Sequence, residues 1–559
     1  MNRREFLKKA SIFTIGAAGF ALTGLNKLPL IHAISRKLHH TNTVTPVPHF
    51  DPKKARRWLL TLIFEGEVPE RIQVYLLSKQ EKILGTSSLM LLAAQQKIRK
   101  MGNGRFMVKL SVSPESVEPD FIHTRVWTSN LVRLLASSLE PDPDVPSPEY
   151  LPDIAGYPAR ISLAPGEMLE LKVHTHQPVY HVEFIRHGAE EKVIHTVRNL
   201  PGMKQAVPPY AYRNGARWKT TLRFPIPKTW STGLYSCRLT DGTGKEFYAP
   251  FILKSIDESI PRERRLAVLS STNTWCAYNT WGGASLYGYR LNEEIRPKHA
   301  QMVSLDRPVI EATPMGEPNH LTNAEKLTLA WLETHNIPYT LICDSDLHED
   351  PGILDQFGTL LINTHGEYWT PVMRNALLKF LDRGGNLMTL AGNSIYWKTI
   401  IQDHHVEVCK ISTHHTLTGE PGGLWRDVGQ PESSVLGVQY TTAGYMTFHP
   451  YEVKEPDHWV FAGTDLKKGS LFGEKGLNRW GPGASGLETD KMTSVTPKNA
   501  VLLAKGTNPD NGGADMIYYD HPGGGGVFST GSVAYTSSLT VDPIVSQITR
   551  NVIRRFTGH

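Results

Sequence analysis

The chain has 559 residues, with 60 Lys and Arg against 54 Asp and Glu for a formal charge of +6. Arg3, Arg4, Lys8, Lys9 and Lys27 against Glu5 supply four of those six charges, so the remainder is close to neutral; with no long Lys/Arg block, it gives no electrostatic reason to invoke nucleic acid. Four widely spaced cysteines, Cys237, Cys276, Cys343 and Cys409, show neither C-x-x-C nor Cys/His zinc spacing, which argues against a thiolate metal site and leaves one or two disulfides open in an oxidising compartment.

The opening Asn2-Arg3-Arg4-Glu5-Phe6-Leu7-Lys8, followed by a mildly apolar run over 10–25, reads as a twin-arginine export signal covering residues 1–33. The run is shorter than the roughly 20 residues a membrane-spanning helix needs and is broken by Gly16, Gly19 and Gly24. Ile31-His32-Ala33 is a poor cleavage site, so an uncleaved signal acting as an anchor stays open. The expected export partner is the twin-arginine translocase and the expected location periplasmic or otherwise extracytoplasmic. Residues 34–55, polar and His-rich, read as a linker, and 56–145 as a β-rich region with strands at 58–64, 72–77 and 106–112. Glu140-Pro141-Asp142-Pro143-Asp144-Val145-Pro146-Ser147-Pro148 marks a boundary, because each Pro removes a donor and constrains its neighbour. Beyond it, β-formers at 159–163, 168–174, 179–186, 218–224, 233–239 and 248–253, between Pro/Gly turns, predict an immunoglobulin-like β-sandwich over 150–255.

After Ser255 the rhythm becomes strand, loop, helix, strand, as in a parallel sheet with crossover helices. Strands are expected at 266–270, 338–343, 359–364 and 386–391. Thr322-x-x-Glu325 reads as a capping box opening a helix to about His335. Thr370-Pro371 reads as the start of another helix, which buries Met373, Leu377, Phe380 and Leu381 and ends at Gly384-Gly385. Residues of about 407–501, irregular and rich in Gly and aromatics, look like an insertion over one edge of the sheet. Strands at 514–519 and 526–531, joined by a glycine turn, and an amphipathic helix carrying Val545, Ile548, Val552 and Phe556 close the domain.

Ligands of an open parallel sheet bind beyond the carboxyl ends of its strands, which singles out three loops. The first strand leads into Thr272-Asn273-Thr274-Trp275-Cys276-Ala277-Tyr278-Asn279-Thr280-Trp281-Gly282-Gly283, the third into Thr364-His365-Gly366-Glu367-Tyr368-Trp369 and the fourth into Gly392-Asn393-Ser394-Ile395-Tyr396-Trp397. Two neighbouring strands thus each deliver a Tyr-Trp pair to one rim, with His365, Glu367 and Asn393 beside them. Packing at a helix entry accounts for a single Tyr; both together, with a His and a carboxylate, favour a site. No Cys stands on the turn after the third strand, and nothing pairs Cys276 with a base. Gly523 to Gly526 enters a strand and so is no phosphate loop, and the doublets His404-His405 and His414-His415 read as solvated.

In order along the chain, YNTWGGASLYGY, THGEYW, GGNLMTLAGNSIYW, GEPGGLWRDVGQP with SSVLGVQY, GASGLETD and ADMIYYDHPGGGGVFSTGSVAY...RNVIRRF resemble the C-terminal domain of the N,N-dimethylformamidase large (beta) subunit and its relatives. The resemblance covers roughly 262–559; the preceding sandwich looks like that family's middle region, and 56–145 has no match. It implies a class I glutamine amidotransferase-like, flavodoxin-like sheet, making the whole a multidomain α/β plus β chain. It also implies amide hydrolysis at a mononuclear iron, as Fe3+, held by two tyrosines and a glutamate. By motif these fall on Tyr368, Tyr396 and Glu488, with Glu474 the competitor for the glutamate. A phenol of pKa near ~10 binds as phenolate only beside a hard, highly charged cation, which would polarise an amide carbonyl and acidify a water. Glu367 or His365 would pass a proton to the departing amine, Trp275, Trp369 and Trp397 would wall a small apolar pocket, and Asn273 and Asn393 would orient the carbonyl. The family enzyme is cytoplasmic and works with a small subunit; this chain carries an export signal, a small subunit is not evident from it, and a homo-oligomer stays open.

The expected function is an exported, metal-dependent hydrolase of the C–N bond of a small amide. Its rivals are hydrolysis of another ester or C–N bond at the same site, and a metal-free periplasmic protein that binds a carbohydrate or cell-wall fragment.

Overall fold

A computed structural model describes eight strands between residues 39 and 141, then residues 153–208, 211–287, 300–410 and 413–558. The signal segment 1–33 and most of the linker 34–55 lie outside the described residues. The chain divides within the proline-rich stretch into two compact units, Met1–Val145 and Pro146–His559.

The first unit holds two antiparallel sheets, ordered His39–Pro46, Phe121–Thr128, Arg71–Leu77, Ile83–Met90 and Ile98–Gly102, Arg105–Val112, Trp58–Glu65, Arg133–Pro141. The stretch expected as a linker therefore supplies a strand, His39–Pro46, whose β-branched Thr41, Thr43, Val44 and Thr45 suit a pleated backbone.

In the second unit two sheets pack face to face over 154–253. One runs Ser162–Leu163, Glu246–Leu253, Gly233–Asp241, Val179–His187, Glu191–Pro201; the other runs Leu222–Pro225, Met168–Thr175, Ile154–Pro158. Alternate residues of each, Leu169, Leu171 and Val173 against Val182, Phe184, Tyr235, Cys237 and Leu239, fill the space between them. This sandwich is continuous with the α/β part of the unit: Leu234 and Ile252 share a core with Leu266 and Val268, and the Arg186–Glu333 pair joins the two parts at 2.6 Å.

The α/β part is built on a nine-stranded sheet, in the order Thr340–Cys343, Leu266–Ser270, Thr359–Thr364, Asn386–Ala391, Gly526–Ser529, Asp515–Asp520, Val501–Gly506, Tyr451–Val453, Leu471–Phe472. The first five are parallel and the rest antiparallel. Numbered along the chain, the parallel five run second, first, third, fourth, fifth, so the order reverses between Leu266–Ser270 and Thr359–Thr364. Both faces are covered. Val268, Leu361, Met388 and Phe528 pack with the helices Thr322–Thr334 and Pro543–Thr557, while Ala267, Leu269, Leu360, Ile362 and Leu387 pack with the helix Pro371–Asp382.

Several local expectations change. The insertion does not simply lie over an edge; Tyr451–Val453 and Leu471–Phe472 extend the sheet. The Thr322 capping box does not form, because Thr322 donates to Ala312 O and the Glu325 carboxylate is engaged by Ser270, Ser271 and Trp275. His415 is fully buried instead of solvated, near Glu407. No disulfide joins the four cysteines, all of which are buried. Among the described residues no helix is long and apolar enough to cross a membrane.

Candidate functional site

The sequence breaks its own backbone rules where the parallel strands end. Thr364, Asn393, Ile395 and Leu487 all take positive φ, at 59°, 50°, 54° and 64°. For β-branched Thr364 and Ile395 this conformation costs on the order of 1–3 kcal/mol each, which surrounding contacts must offset. The four residues flank His365, Tyr396 and Glu488, so strain is concentrated where side chains are turned toward one point. Gly392 is required there: a Cβ on it would sit 2.7 Å from both Glu488 O and Val533 N.

At that point lies Glu367, buried at the strand-order reversal. Tyr287 Oη donates to its carboxylate, 2.5 Å from each oxygen, and Trp397 Nε1 donates to Oε1 at 3.1 Å. The Tyr287 ring stacks on Tyr278, with centres 4.1 Å apart, and stands edge-on to Tyr368 at 6.4 Å. Three phenols therefore cluster beside one carboxylate, to which Tyr287 donates. His365 Nδ1 faces the Gly392 carbonyl at 3.1 Å and must carry a proton there; its Nε2 faces Glu367 at 3.3 Å and Glu488 at 3.8 Å. Asn393 Nδ2 donates to Glu488 at 2.8 Å and its backbone N–H to Asp490 at 2.8 Å, while its Oδ1 is buried without a partner among the described residues. Lys410 Nζ lies 2.9 Å from Tyr368 Oη and 3.4 Å from the centre of the Tyr287 ring.

Charge in this cluster is sharply uneven. Burial opposes a charged His365, but the hydrogen bond to Glu367 and the charges of Glu488 and Glu367 push it up to about 9. Burial likewise works against the Glu367 anion, yet His365, Lys410 and Tyr287 hold its carboxyl below the usual range. Glu488 is pushed up, by burial and then by Glu367. Burial and the nearby carboxylates drive Tyr278, Tyr287 and Tyr368 well above an ordinary phenol, so all three keep their protons unless a further cation arrives. Beneath them Glu325, pushed up to about 7 by burial, ties the helix Thr272–Tyr278 to the strand before it.

Of the residues expected at the site, His365, Glu367, Tyr368, Asn393, Trp397 and Glu488 are brought together. Tyr396 stands off. Its ring packs on Trp397 and Tyr440 under the Arg426 guanidinium, and its hydroxyl makes no hydrogen bond among the described residues. Trp369 is buried in the core with Met373 and Leu377, and Trp275 is turned onto Glu325, so neither walls the site. Asn273 is a brace, donating to Tyr368 O at 3.1 Å and, through its N–H, to Asp344. Glu474 is exposed, far less suited than Glu488 to a buried ligand set. Sequence reasoning missed Tyr278, although it stands in the aromatic loop singled out, Tyr287, which follows in the segment YNTWGGASLYGY, and Lys410 and His320, which no motif marks. Among the described residues no group of three or more His, Cys, Asp or Glu is disposed to hold a metal ion.

Residues 178–550 match the family described as N,N-dimethylformamidase beta subunit-like, C-terminal, a match that starts well before residue 262. Two relatives, each named N,N-dimethylformamidase beta subunit, come from Paracoccus aminophilus and an Alcaligenes species. They are 24% identical over 421 and 424 residues, in both cases 61% of this chain and 54% of the relative. The chain thus spans about half the length of the curated relatives it matches. Since the family match extends over more than half of the 559 residues, the chain belongs to the N,N-dimethylformamidase beta subunit-like, C-terminal family.

Proposed function

We propose that this chain is an exported hydrolase of small amides whose site takes a hard cation, ferric iron foremost. The observation that carries this reading is the packing of Tyr278 and Tyr368 around Tyr287, whose hydroxyl donates to the Glu367 carboxylate. An all-oxygen set of phenols and carboxylate suits a hard, highly charged ion better than it suits zinc. The buried Asn393 Oδ1, without a partner among the described residues, is a further oxygen. Glu367, Tyr287 and Tyr368 are the residues that would hold the ion, with Glu488 facing them; Tyr396, the second phenol the family resemblance points to, is off that face. When bound, such an ion polarises a carbonyl oxygen and lowers the pKa of a bound water.

The chain's own residues supply the rest. Trp397 fixes the orientation of Glu367 through its indole N–H. His365 holds a proton at Nε2 between Glu367 and Glu488, placed to reach a leaving nitrogen. Asn393, anchored on Glu488, orients the substrate. The low accessibility of His365, Glu367 and Tyr368 excludes bulk water and strengthens every charge interaction there.

The strand order at the parallel end of the sheet supports an amidotransferase-like reading of that half. The twin arginine and the apolar run after it support export to the periplasm. The relatives' name, beta subunit, supports a partner subunit for this chain as well. Elemental analysis and visible spectroscopy of purified protein, with an assay of amine release from simple amides, test the reading together. Stoichiometric iron, a phenolate charge-transfer band and amide cleavage are expected; colourless, metal-free protein that cleaves no amide overturns it.

A further inference from the structure

The β-sandwich and the α/β part meet over a cavity of about 140 Å³, walled by the strand Ile154–Pro158 on one side and the helix Thr272–Tyr278 on the other. Thr272, Cys276 and, at the helix end, Asn279 line it, at the spacing of one helical face. The opposite face belongs to the phenol cluster: Thr274 Oγ1 donates to His365 O at 2.9 Å, and the Tyr278 ring stacks on Tyr287. The cavity therefore lies behind the helix that backs the site, apart from it. In its wall Thr272 is 6% exposed, and its Oγ1 has no hydrogen-bond partner among the described residues.

Buried polar groups are almost always paired, so a bare hydroxyl in the wall of a cavity marks a place for a ligand. Charged groups are divided along this cavity. At the Thr272 end, Asn273 N donates to Asp344 at 2.8 Å, which brings up the helix Asp344–Glu349, and Lys254 of the sandwich reaches Asp346 at 2.5 Å. That bond uses one of the three N–H donors of an ammonium and leaves the others toward the cavity, with Arg160 and Glu349 of opposite charge at the rim. At the Cys276 end, Cys276 Sγ donates to Ser304 O at 3.6 Å, and Asp306 N donates to Ser304 Oγ at 3.1 Å. The Asp306 carboxylate there has one ion-pair partner among the described residues, the exposed His404 at 3.3 Å. Arg307 does not compete for it, because its guanidinium is wrapped by the carbonyls of Cys276, Trp281, Ala284 and Ser304.

Over the four residues from Thr272 to Cys276 a helix rises about 6 Å, so the donors at one end and the carboxylate at the other stand a few carbon atoms apart. A cavity of roughly 150 Å³ takes benzene, which limits the occupant to a small molecule of that order. We propose that this cavity is a second binding site, for a small zwitterionic amino acid, with its carboxylate on Thr272 and Lys254 and its ammonium on Asp306. Such a site needs neither the cation nor the amide chemistry of the phenol cluster.

Glycine and 4-aminobutyrate are the probes, with butylamine and butyrate as singly charged analogues, each titrated into the full chain at constant ionic strength and neutral pH and followed by ligand-observed NMR. At least one zwitterion is expected to bind, with an affinity on the order of millimolar for so few heavy atoms. It should bind about tenfold more tightly than either analogue, the worth of one charge-assisted hydrogen bond. Thr272→Val is expected to weaken the zwitterion about fivefold while leaving the denaturant midpoint unchanged or higher, since it removes a buried hydroxyl that nothing else satisfies. Asp306→Asn is expected to bring the zwitterion within about twofold of butyrate. Binding of neither zwitterion, an analogue that binds as tightly, or full affinity in either variant overturns the proposal. A lowered midpoint in Thr272→Val does so too, because the hydroxyl would then serve the fold and not a ligand.

Discussion

Tyr368-Trp369 and Tyr396-Trp397 follow adjacent parallel strands and pair with each other, but the register sets Tyr368 opposite Trp397 and Trp369 opposite Lys398. Opposed residues share a face of a sheet, and a slip of one residue exchanges the faces. The first pair therefore sends its phenol to the Glu367 cluster and its indole into the core beside Met373. The second sends its indole to Glu367 and leaves its phenol beneath Arg426. The Glu367 carbonyl fixes this arrangement, accepting from Tyr396 N at 3.0 Å and Trp397 N at 2.9 Å. Two identical dipeptides thus divide one set of tasks between them: each gives the site one aromatic group of a different chemistry.

Both pairs meet at Glu367, so Glu367→Gln is expected to have the largest effect. Amide cleavage should fall by about 10³-fold or more, and iron content should fall with it. A variant that keeps both would leave the two pairs without a common centre. Next comes the contrast between the phenols. Tyr368→Phe is expected to lower kcat/KM by about 10²-fold, within the range for a group at the reacting centre, and Tyr396→Phe by no more than about threefold. Equal losses in the two single variants would show that the register does not decide which phenol acts. Gly392→Ala probes the backbone between the pairs. Its Cβ would press on Glu488 O and Val533 N, so a stability loss of about 2 kcal/mol in denaturant melts is expected, with activity falling as Glu488 is displaced.

Much of the scaffold was readable because it obeys local rules. Met373, Leu377, Phe380 and Leu381 recur at helical spacing after a Thr-Pro start, and the structure caps that helix with Thr370, whose Oγ1 accepts from Met373 N. The site was readable only in part. His365, Glu367 and Asn393 stand at strand ends, where topology directs attention, but Tyr287 reaches Glu367 across 80 residues of chain and Lys410 reaches Tyr368 across 42. No periodicity reports contacts of that range. The positive φ of Thr364, Ile395 and Leu487 is equally hidden, since nothing in those residue types predicts it. That the Tyr368 and Tyr396 rings take opposite faces was hidden as well, because strand register, which sequence pattern leaves free in so short a pairing, sets the face each side chain takes.

The smallest expected effect belongs to Trp397→Phe, which also divides the two pairs most finely. Phenylalanine keeps an aromatic ring against Tyr396 and Lys410 but removes the indole N–H that the Glu367 carboxylate receives from this strand. Glu367 retains Tyr287 and His365, so the loss is that of one charge-assisted bond among several, about 1–2 kcal/mol or roughly tenfold in kcat/KM. If the indole acts by orienting the carboxylate, kcat should carry the loss, KM should stay within about twofold, and iron content should be unchanged. A rise in KM at constant kcat would instead make Trp397 a wall of the substrate pocket, and the second Tyr-Trp pair would then contribute shape to the site and no electrostatics.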